Sequence, residues 1–229
     1  GRYVIRNLEN MPAQPVGEPE WTLADSWIWA RMKQVNQTVN RLFEGYQFGE
    51  AGRQIYDFFW GEFADWYVEI SKDQIAEGGD RAYYTIETLV RIMDTCLRFL
   101  HPFTPFVTEA LWGHLRVASM ETSEGLAPKG GWEDALIIAQ WPEPLLMEGW
   151  EESAIDDFAL VQEMVRAIRN IRSEYKVEPS RRITCTISAG EKAAIIESQK
   201  KTFASLAGID LQSFTIVEKP LEPSADRVT

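Results

Sequence analysis

Y-Q-F-G-E-A-G-R-Q-I-Y-D-F-F-W-G-E-F-A-D-W-Y-V-E-I-S, residues 46–71, decides how this chain folds. At about 100° per residue, Ile55, Tyr56, Phe59, Trp60, Phe63, Trp66, Tyr67 and Ile70 fall on one broad stripe. Glu62, Asp65 and Glu69 fall off it. The spacing predicts an amphipathic helix whose apolar face is mostly aromatic. Such a face needs other helices to cover it, and the flanking sequence supplies them.

Upstream, Thr22 followed by Asp25 has the spacing of a capping box. A first helix starts there, with Leu23, Trp27, Ile28, Met32, Val35, Val39, Leu42 and Phe43 inward and Gly45 as its stop. Downstream, residues 80–101 carry Ile86, Leu89, Val90, Met93, Cys96, Leu97 and Leu100 at helical spacing, until Pro102 and Pro105 interrupt. Residues 104–117 form a further helix, with Phe106, Val107, Ala110, Leu111 and Leu115. Helices joined this closely predict a mainly α fold, an antiparallel helical bundle over residues 21–147. Residues 1–20, with Pro12, Pro15 and Pro19, read as a connector, and residues 118–135, with Gly125, Pro128, Gly130 and Gly131, as a loop. Leu136–Trp141 reads as a strand-like segment laid over the bundle.

The pattern then changes. Residues 151–174 predict a long helix, 183–188 a strand, 191–206 helix and 214–217 a second strand. That order suggests a small α/β subdomain over residues 148–229, with an unstructured tail from Pro220.

Composition narrows the function classes. The chain has 229 residues, 45% hydrophobic, and nine tryptophans to bury. No apolar run approaches the roughly 18 residues of a membrane span. Cys96 and Cys185 stand far apart without a second ligand at metal spacing, and read as reduced, buried thiols. The opening G-R-Y-V-I-R-N-L-E-N carries no signal peptide and reads as the interior of a longer protein. A net charge of −12 argues against broad, non-specific nucleic-acid binding, although residues 166–182 hold six basic side chains against two acids.

Catalytic equipment is sparse. His101 and His114 suit capping or surface hydrogen bonds, and no glycine-rich phosphate loop occurs. Three features could bind. Arg53, Tyr56, Trp60 and Tyr67 share one side of the aromatic helix, with Phe63 nearer its centre; rings beside a guanidinium can stack unpaired bases, or can simply be core. Arg166, Arg169, Arg172 and Lys176 share a helical face that could track phosphates or sit in solvent ion pairs. Arg31, Lys33 and Arg41 lie singly on the first helix.

T-L-A-D-S-W-I-W-A-R-M (22–32), the aromatic stretch with its W-G-E-F-A-D-W-Y core, F-L-H-P-F-T-P-F-V-T-E-A-L-W (99–112), I-I-A-Q-W-P (137–142) and I-R-N-I-R-S-E-Y-K-V-E-P (168–179) together resemble the anticodon-binding region of class I aminoacyl-tRNA synthetases of the Val/Ile/Leu subgroup, and its valyl members most. The resemblance spans nearly the whole chain. It implies a tRNA(Val) anticodon arm as partner, a catalytic domain elsewhere in the same chain, ATP and Mg2+ handled there rather than here, and a cytoplasmic monomer. The family's His-x-Gly-His and Lys-Met-Ser-Lys-Ser motifs are absent, so this stretch alone is expected to be non-catalytic, with no cofactor and no metal. The resemblance puts Arg53, Trp60 and Phe63 near anticodon bases and Arg41 near a phosphate, with Arg166, Arg169, Arg172 and Lys176 as a second phosphate row. The alternatives are the same module from an isoleucyl or leucyl enzyme, and a helical protein-interaction scaffold without RNA contact.

Overall fold

The computed structural model describes residues 1–122, 126–128 and 130–218; Gly125 and the tail from Pro220 lie outside them. The chain divides into two compact units, Gly1–Glu152 and Ser153–Thr229.

The first unit is helical. Residues 1–20 are not wholly a connector: α1 (Arg2–Glu9) buries Val4 and Leu8 against the helices Gly79–Leu100 and Pro105–Thr122. Two inward residues at i and i+4 were too short a pattern to read beside three prolines. The chain then crosses to α2 (Leu23–Glu44), and this crossing is tied down. Gly17 N–H donates to Asp80 at 3.0 Å, Tyr84 O–H donates to the Gly17 carbonyl at 2.6 Å, and Arg81 donates to the Glu20 carbonyl.

The capping box forms as read. Asp25 N–H donates to Thr22 Oγ1 at 3.2 Å, and Thr22 N–H donates to the Asp25 carboxylate at 2.9 Å. That carboxylate does more than cap. Tyr67 O–H donates to it at 2.7 Å, Arg81 at 2.9 Å and Gln74 at 3.3 Å. Burial and the Asp25 charge both push the Tyr67 phenol well above its ordinary pKa. One buried acid therefore holds α2 to the next two helices.

The aromatic stretch is one continuous helical rod whose middle is widened. α3 (Phe48–Tyr56) leads into an eleven-residue π-helix (Asp57–Tyr67), which continues as α4 (Val68–Ala76). Val68 N–H reaches the Phe63 carbonyl, five residues back. A π turn takes about 4.4 residues, so the inward positions shift. Phe58, absent from the stripe read at 3.6 residues per turn, is fully buried, whereas Tyr56 and Trp60, both on that stripe, face solvent. Ile55, Phe63, Trp66, Tyr67 and Ile70 are buried as expected.

α5 (Gly79–Leu100) is the most enclosed helix and α6 (Pro105–Thr122) runs five residues beyond its expected end. Asp94 on α5 accepts from Arg98 at 3.0 Å and from Trp112 Nε1 at 2.7 Å, joining the two. The segment after residue 135 is not a strand. Leu136–Ile138 make a single 3-10 turn, and an extended strap follows. Its polar atoms are satisfied by α2 side chains one turn apart. Asn36 Oδ1 accepts from Leu145 N–H, Asn40 donates to the Pro142 carbonyl and accepts from Trp141 Nε1 at 2.8 Å, and Gln37 donates to the Leu145 carbonyl. Pro142 and Pro144 suit this strap because neither is asked for an N–H.

The second unit pairs α7 (Glu151–Glu174), which begins at the boundary, with a two-stranded parallel sheet. β1 (Ile183–Ser188) and β2 (Ile209–Val217) are joined by α8 (Ala193–Ser198) and α9 (Lys200–Ala207). β2 starts five residues earlier than its pattern suggests. The register breaks between the Ile183–Ile209 and Cys185–Phe214 pairs, where Asp210 accepts from Ser213 Oγ at 2.9 Å and turns the chain locally. Gly208, at φ +67°, ends α9 in the left-handed conformation that glycine adopts without strain. No helix of the described residues is long and apolar enough to cross a membrane.

Asp25→Ala is expected to destabilise the first unit by about 3–5 kcal/mol, since it strands Arg81 and the Tyr67 hydroxyl inside the bundle. Tyr67→Phe should cost about 1–3 kcal/mol, the loss of one buried donor. Urea unfolding followed by circular dichroism measures both, and similar losses for the two variants would contradict the central role given to the carboxylate.

Candidate functional site

α3 presents one exposed face made of Phe48, Gly49, Gly52, Arg53 and Tyr56, and Trp60 continues it in the π-helix. Tyr56 and Trp60 stack on each other, ring centroids 4.8 Å apart and planes 13° from parallel. They are 56% and 46% exposed, so one face of this stack meets water. The two glycines keep the centre of the helix face low. Gly49 has open space where a side chain would stand, and a Cβ on Gly52 would lie 3.1 Å from the Phe103 ring.

A second group of rings stands at the end of the bundle where the α2–α3 and α5–α6 turns meet. Phe43 holds the group together, 5.3 Å from Phe48, 6.0 Å from Phe103 and 4.7 Å from Trp141. Tyr46 is set outward by a left-handed backbone, φ +56°, and its ring packs edge-on to Phe48 at 6.1 Å. Phe106, in the first turn of α6, is 91% exposed. Tyr46, Phe48 and Phe103 were not singled out from the sequence, and Phe106, read there as part of the apolar set of α6, is instead turned to solvent with Val107, while Trp112 and Leu115 face the core. The signal was present, in Y-Q-F after a helix stop and in H-P-F-T-P-F between helices, but periodicity gives no account of rings in turns.

Phe63 corrects the sequence reading. It is 2% exposed and sits in the aromatic interior, 5.7 Å from Phe59 and 6.4 Å from Tyr67. No face of its ring is open to a base, so its part is to support Phe59 and, through it, Trp60, whose ring lies 4.7 Å from Phe59. Tyr67 is buried too, with its hydroxyl committed to Asp25.

The two candidate arginines of the first unit, Arg53 and Arg41, differ in state. Arg53 is gripped between carboxylates, donating to Glu50 through Nη2 at 2.5 Å and to Asp57 through Nη1 at 3.0 Å. Hydrogen bonds from Arg53 and Gln54 bring the Glu50 pKa down to about 2. An incoming phosphate must therefore compete with two acids for this guanidinium, although the exposed pairs themselves are weak. Arg41, exposed in the last turn of α2, has no ion-pair partner among the described residues. Arg31 is spent on a two-pronged pair with Glu62, at 2.7 Å on both oxygens.

The basic row of α7 is largely structural. Arg169 donates to the Leu206 carbonyl at 2.8 Å, Arg172 to the Gly208 carbonyl at 3.1 Å, and Arg182 to the Ala204 carbonyl. Three guanidiniums thus cap the carbonyl end of α9, where helix geometry leaves acceptors unfilled and the dipole favours a cation. Arg169 and Arg172, read from the sequence as phosphate contacts, are thus engaged by backbone carbonyls in this structure. Arg166 and Lys176 are exposed, and Lys176, at φ +50°, closes the end of α7.

Elsewhere, His101 Nδ1 lies 2.9 Å from Thr108 Oγ1, and His114 is exposed. Cys96 is buried on α5, its thiol pKa raised by loss of water and by Asp94. Among the described residues no three His, Cys, Asp or Glu side chains are grouped to hold a metal ion.

A family model described as the anticodon-binding domain of tRNA ligase matches residues 25–187. Valine--tRNA ligase of Symbiobacterium thermophilum is 36% identical over 217 residues, 90% of this chain and 24% of its own length. The valine--tRNA ligase of Dehalococcoides mccartyi strain CBDB1 is 39% identical over 196 residues, 85% of this chain and 21% of its own. That of Thermotoga maritima is 34% identical over 219 residues, 96% and 23%. The chain therefore spans less than a quarter of the length of each of these relatives.

Two outcomes follow from the charged groups. The Glu50 carboxyl should titrate near pH 2 in a carboxyl-carbon NMR experiment. A depressed folded pKa means the pairing with Arg53 is in force above the ordinary carboxylate range and is lost as pH falls through about 2; an ordinary midpoint would show that the pair is not made in solution. Arg172→Ala should destabilise the second unit by about 1–3 kcal/mol, seen as faster hydrogen exchange at the β1 amides.

Proposed function

This chain belongs to the anticodon-binding domain family of tRNA ligases, and from that premise we propose that it is the anticodon-arm grip of a longer valine-tRNA ligase. The ligase joins valine to tRNA(Val). The chemistry, with its ATP and Mg2+, belongs in this reading to a catalytic domain in the rest of that chain. The whole enzyme is a cytoplasmic monomer in the same reading.

The observation that carries the proposal is the Tyr56–Trp60 stack, a half-exposed pair of parallel rings beside Arg53 on a helix face that the core does not need. An anticodon loop offers unstacked bases, and a base laid on Trp60 or Tyr56 would extend a stack already formed. Each such contact is worth roughly 1–3 kcal/mol. Tyr46, Phe48, Phe103 and Phe106 give the loop further rings at the end of the bundle. Gly49 leaves open space beside these rings for the sugar–phosphate chain, while Gly52 lets the Phe103 ring close onto the helix. Arg41 is placed for a phosphate, and Arg53 can exchange Asp57 for one. Arg166 and Lys176 are the remaining phosphate candidates of the second unit. Phe63, Arg169 and Arg172 act through structure.

The test is binding of the 229-residue chain to a tRNA(Val) transcript, beside the same transcript with its middle anticodon base changed. Trp60→Ala should weaken binding to the native transcript by about 5- to 150-fold, the equivalent of one base stack. The variant should keep its helical spectrum, because Trp60 is surface-exposed. Affinity should fall as salt rises. A Tyr56→Ala/Trp60→Ala chain that binds both transcripts as tightly as the parent would overturn the proposed site.

A further inference from the structure

The extended strap that follows the 3-10 turn roofs a cleft of about 460 Å3, walled by side chains of α2 and α5. Polar groups of both helices hold the roof up. Asn36 Oδ1 accepts from Leu145 N–H at 2.9 Å, Asn40 donates to the Pro142 carbonyl at 3.1 Å, and Arg98 Nη1 donates to the Gln140 carbonyl at 2.8 Å. Pro142 and Pro144 restrict its backbone. The volume lies within the roughly 300–1,000 Å3 of pockets that enclose small molecules. Trp141 lines the cleft, and its ring lies 4.7 Å from Phe43, which holds the ring group at the end of the bundle. The cleft is therefore one side chain away from the surface assigned to the RNA loop.

Two buried donors open on it. Arg98 and Asn36, 8% and 1% exposed, both line the cleft. Arg98 Nε donates to Asp94 at 3.0 Å and Nη1 to Gln140, which leaves Nη2 without a hydrogen-bond partner among the described residues. Asn36 Nδ2 is unpartnered in the same way, its Oδ1 being spent on Leu145. Neither nitrogen is sealed in the core. The acceptors beside them are taken: Asp94 also accepts from Trp112 Nε1 at 2.7 Å, and the Gln140 carbonyl accepts from Arg98. A ligand that enters meets donors.

On the anticodon-arm reading, on which this rests for the source of the ligand, we infer that the cleft receives one keto nucleobase, uracil or guanine, turned out of the same loop. A ring carbonyl has two lone pairs and can accept from Arg98 Nη2 and Asn36 Nδ2 together. Adenine and cytosine carry an amino donor where guanine and uracil carry that carbonyl, and would set N–H against N–H. Charge disfavours simpler acceptors. Among the described lining residues three acids, Asp94, Glu143 and Glu148, stand against two cations. Both cations are paired, Arg98 with Asp94 and Lys33 with Glu148 at 2.8 Å. A phosphate or carboxylate would bring a further unpaired negative charge into the cleft; a neutral base does not.

The experiment uses the 229-residue chain labelled with 5-fluorotryptophan. Trp141→Phe assigns the Trp141 fluorine resonance, and circular dichroism checks the fold. The probes are inosine against adenosine and uridine against cytidine, pairs that exchange a carbonyl for an amino group at one ring position. The expected result is a saturable shift of the Trp141 resonance with inosine and uridine, and affinities at least about fivefold weaker for adenosine and cytidine. Asn36→Asp keeps the oxygen that Leu145 uses and removes the amide donor, so the keto preference should fall about two- to tenfold. Should that variant unfold, the nucleoside series on the parent chain decides alone. The tRNA(Val) transcript should move the same resonance. Equal shifts with all four nucleosides would mean a merely apolar slot and would overturn the proposal. So would no shift up to the solubility limit, a shift with sodium acetate and none with inosine, or a transcript that binds and leaves Trp141 unmoved. Trp60 is not part of the cleft wall, so Trp60→Ala keeps the inosine shift whatever it does to RNA binding. The cleft and the Tyr56–Trp60 platform therefore stand or fall separately.

Discussion

One buried carboxylate sets the geometry of the helical unit. Asp25 accepts from the Thr22 backbone and hydroxyl, Tyr67, Gln74 and Arg81, and these donors come from four successive parts of the chain. An isolated carboxylate could not be held in this interior; it is held because its oxygens are filled and Arg81 neutralises it. The arrangement has directional consequences that apolar packing lacks. Tyr67 must point at Asp25, so the phase of the rod at its π-to-α junction is fixed. Gln74, about two turns further on, is tied to the same acid and to Thr22 Oγ1 at 2.9 Å. Sliding or rotating the rod would break several charge-assisted hydrogen bonds together.

With that phase fixed, the π-helix decides which rings face which way. A regular α-helix would put Phe59, Trp60, Phe63, Trp66 and Tyr67 on one side, more aromatic volume than the neighbouring helices could cover. The wider turn spreads the same residues over a larger arc. Phe58 and Phe63, five apart, go inward; Tyr56 and Trp60 turn out and stack. The core and the exposed platform are thus built from one run of sequence, and the buried rings back the exposed ones through Phe59. A wide-turn segment is costly in isolation, and it persists here because the packing around it is worth more.

Much of this was legible in the sequence and some was not, for identifiable reasons. The Thr22–Asp25 box, α2, α5, α7 and β1 were readable because caps and periodic apolar faces are local signals. The partners of Asp25 beyond Thr22 were not, since Tyr67, Gln74 and Arg81 come from distant positions. The stripe of the aromatic rod was assigned at 3.6 residues per turn, which put Trp60 with the core residues and left Phe58 out. The arginine row on α7 looked like a phosphate track because its acceptors are backbone carbonyls of α9, invisible to any reading of side-chain charge. Phe63 and Trp60 are three residues apart and chemically alike; only the local winding separates a core ring from a surface one.

The charge distribution bears on what the platform can do. Residues 1–152 hold 24 acids against 12 basic side chains, and residues 153–229 hold eleven of each, so the whole net charge of −12 rests on the helical unit. Most of its cations are already paired: Arg31, Lys33, Arg53, Lys72, Arg81, Arg91, Arg98 and Arg116 all have carboxylate partners. A polyanion approaching at random meets repulsion that extends about 8–10 Å at physiological salt. Binding energy must therefore come from short-range contacts, rings against exposed bases, which a base-paired helix does not offer because its bases are already stacked. In the reading proposed above, such a surface discriminates by whether the loop can splay its bases onto Tyr56 and Trp60, with local phosphate contacts at Arg41 and Arg53 adding to the ring contacts. In that reading an acidic module of this kind checks a loop that other parts of a larger protein have already brought near, and what binding it shows as an isolated chain is carried by the ring contacts.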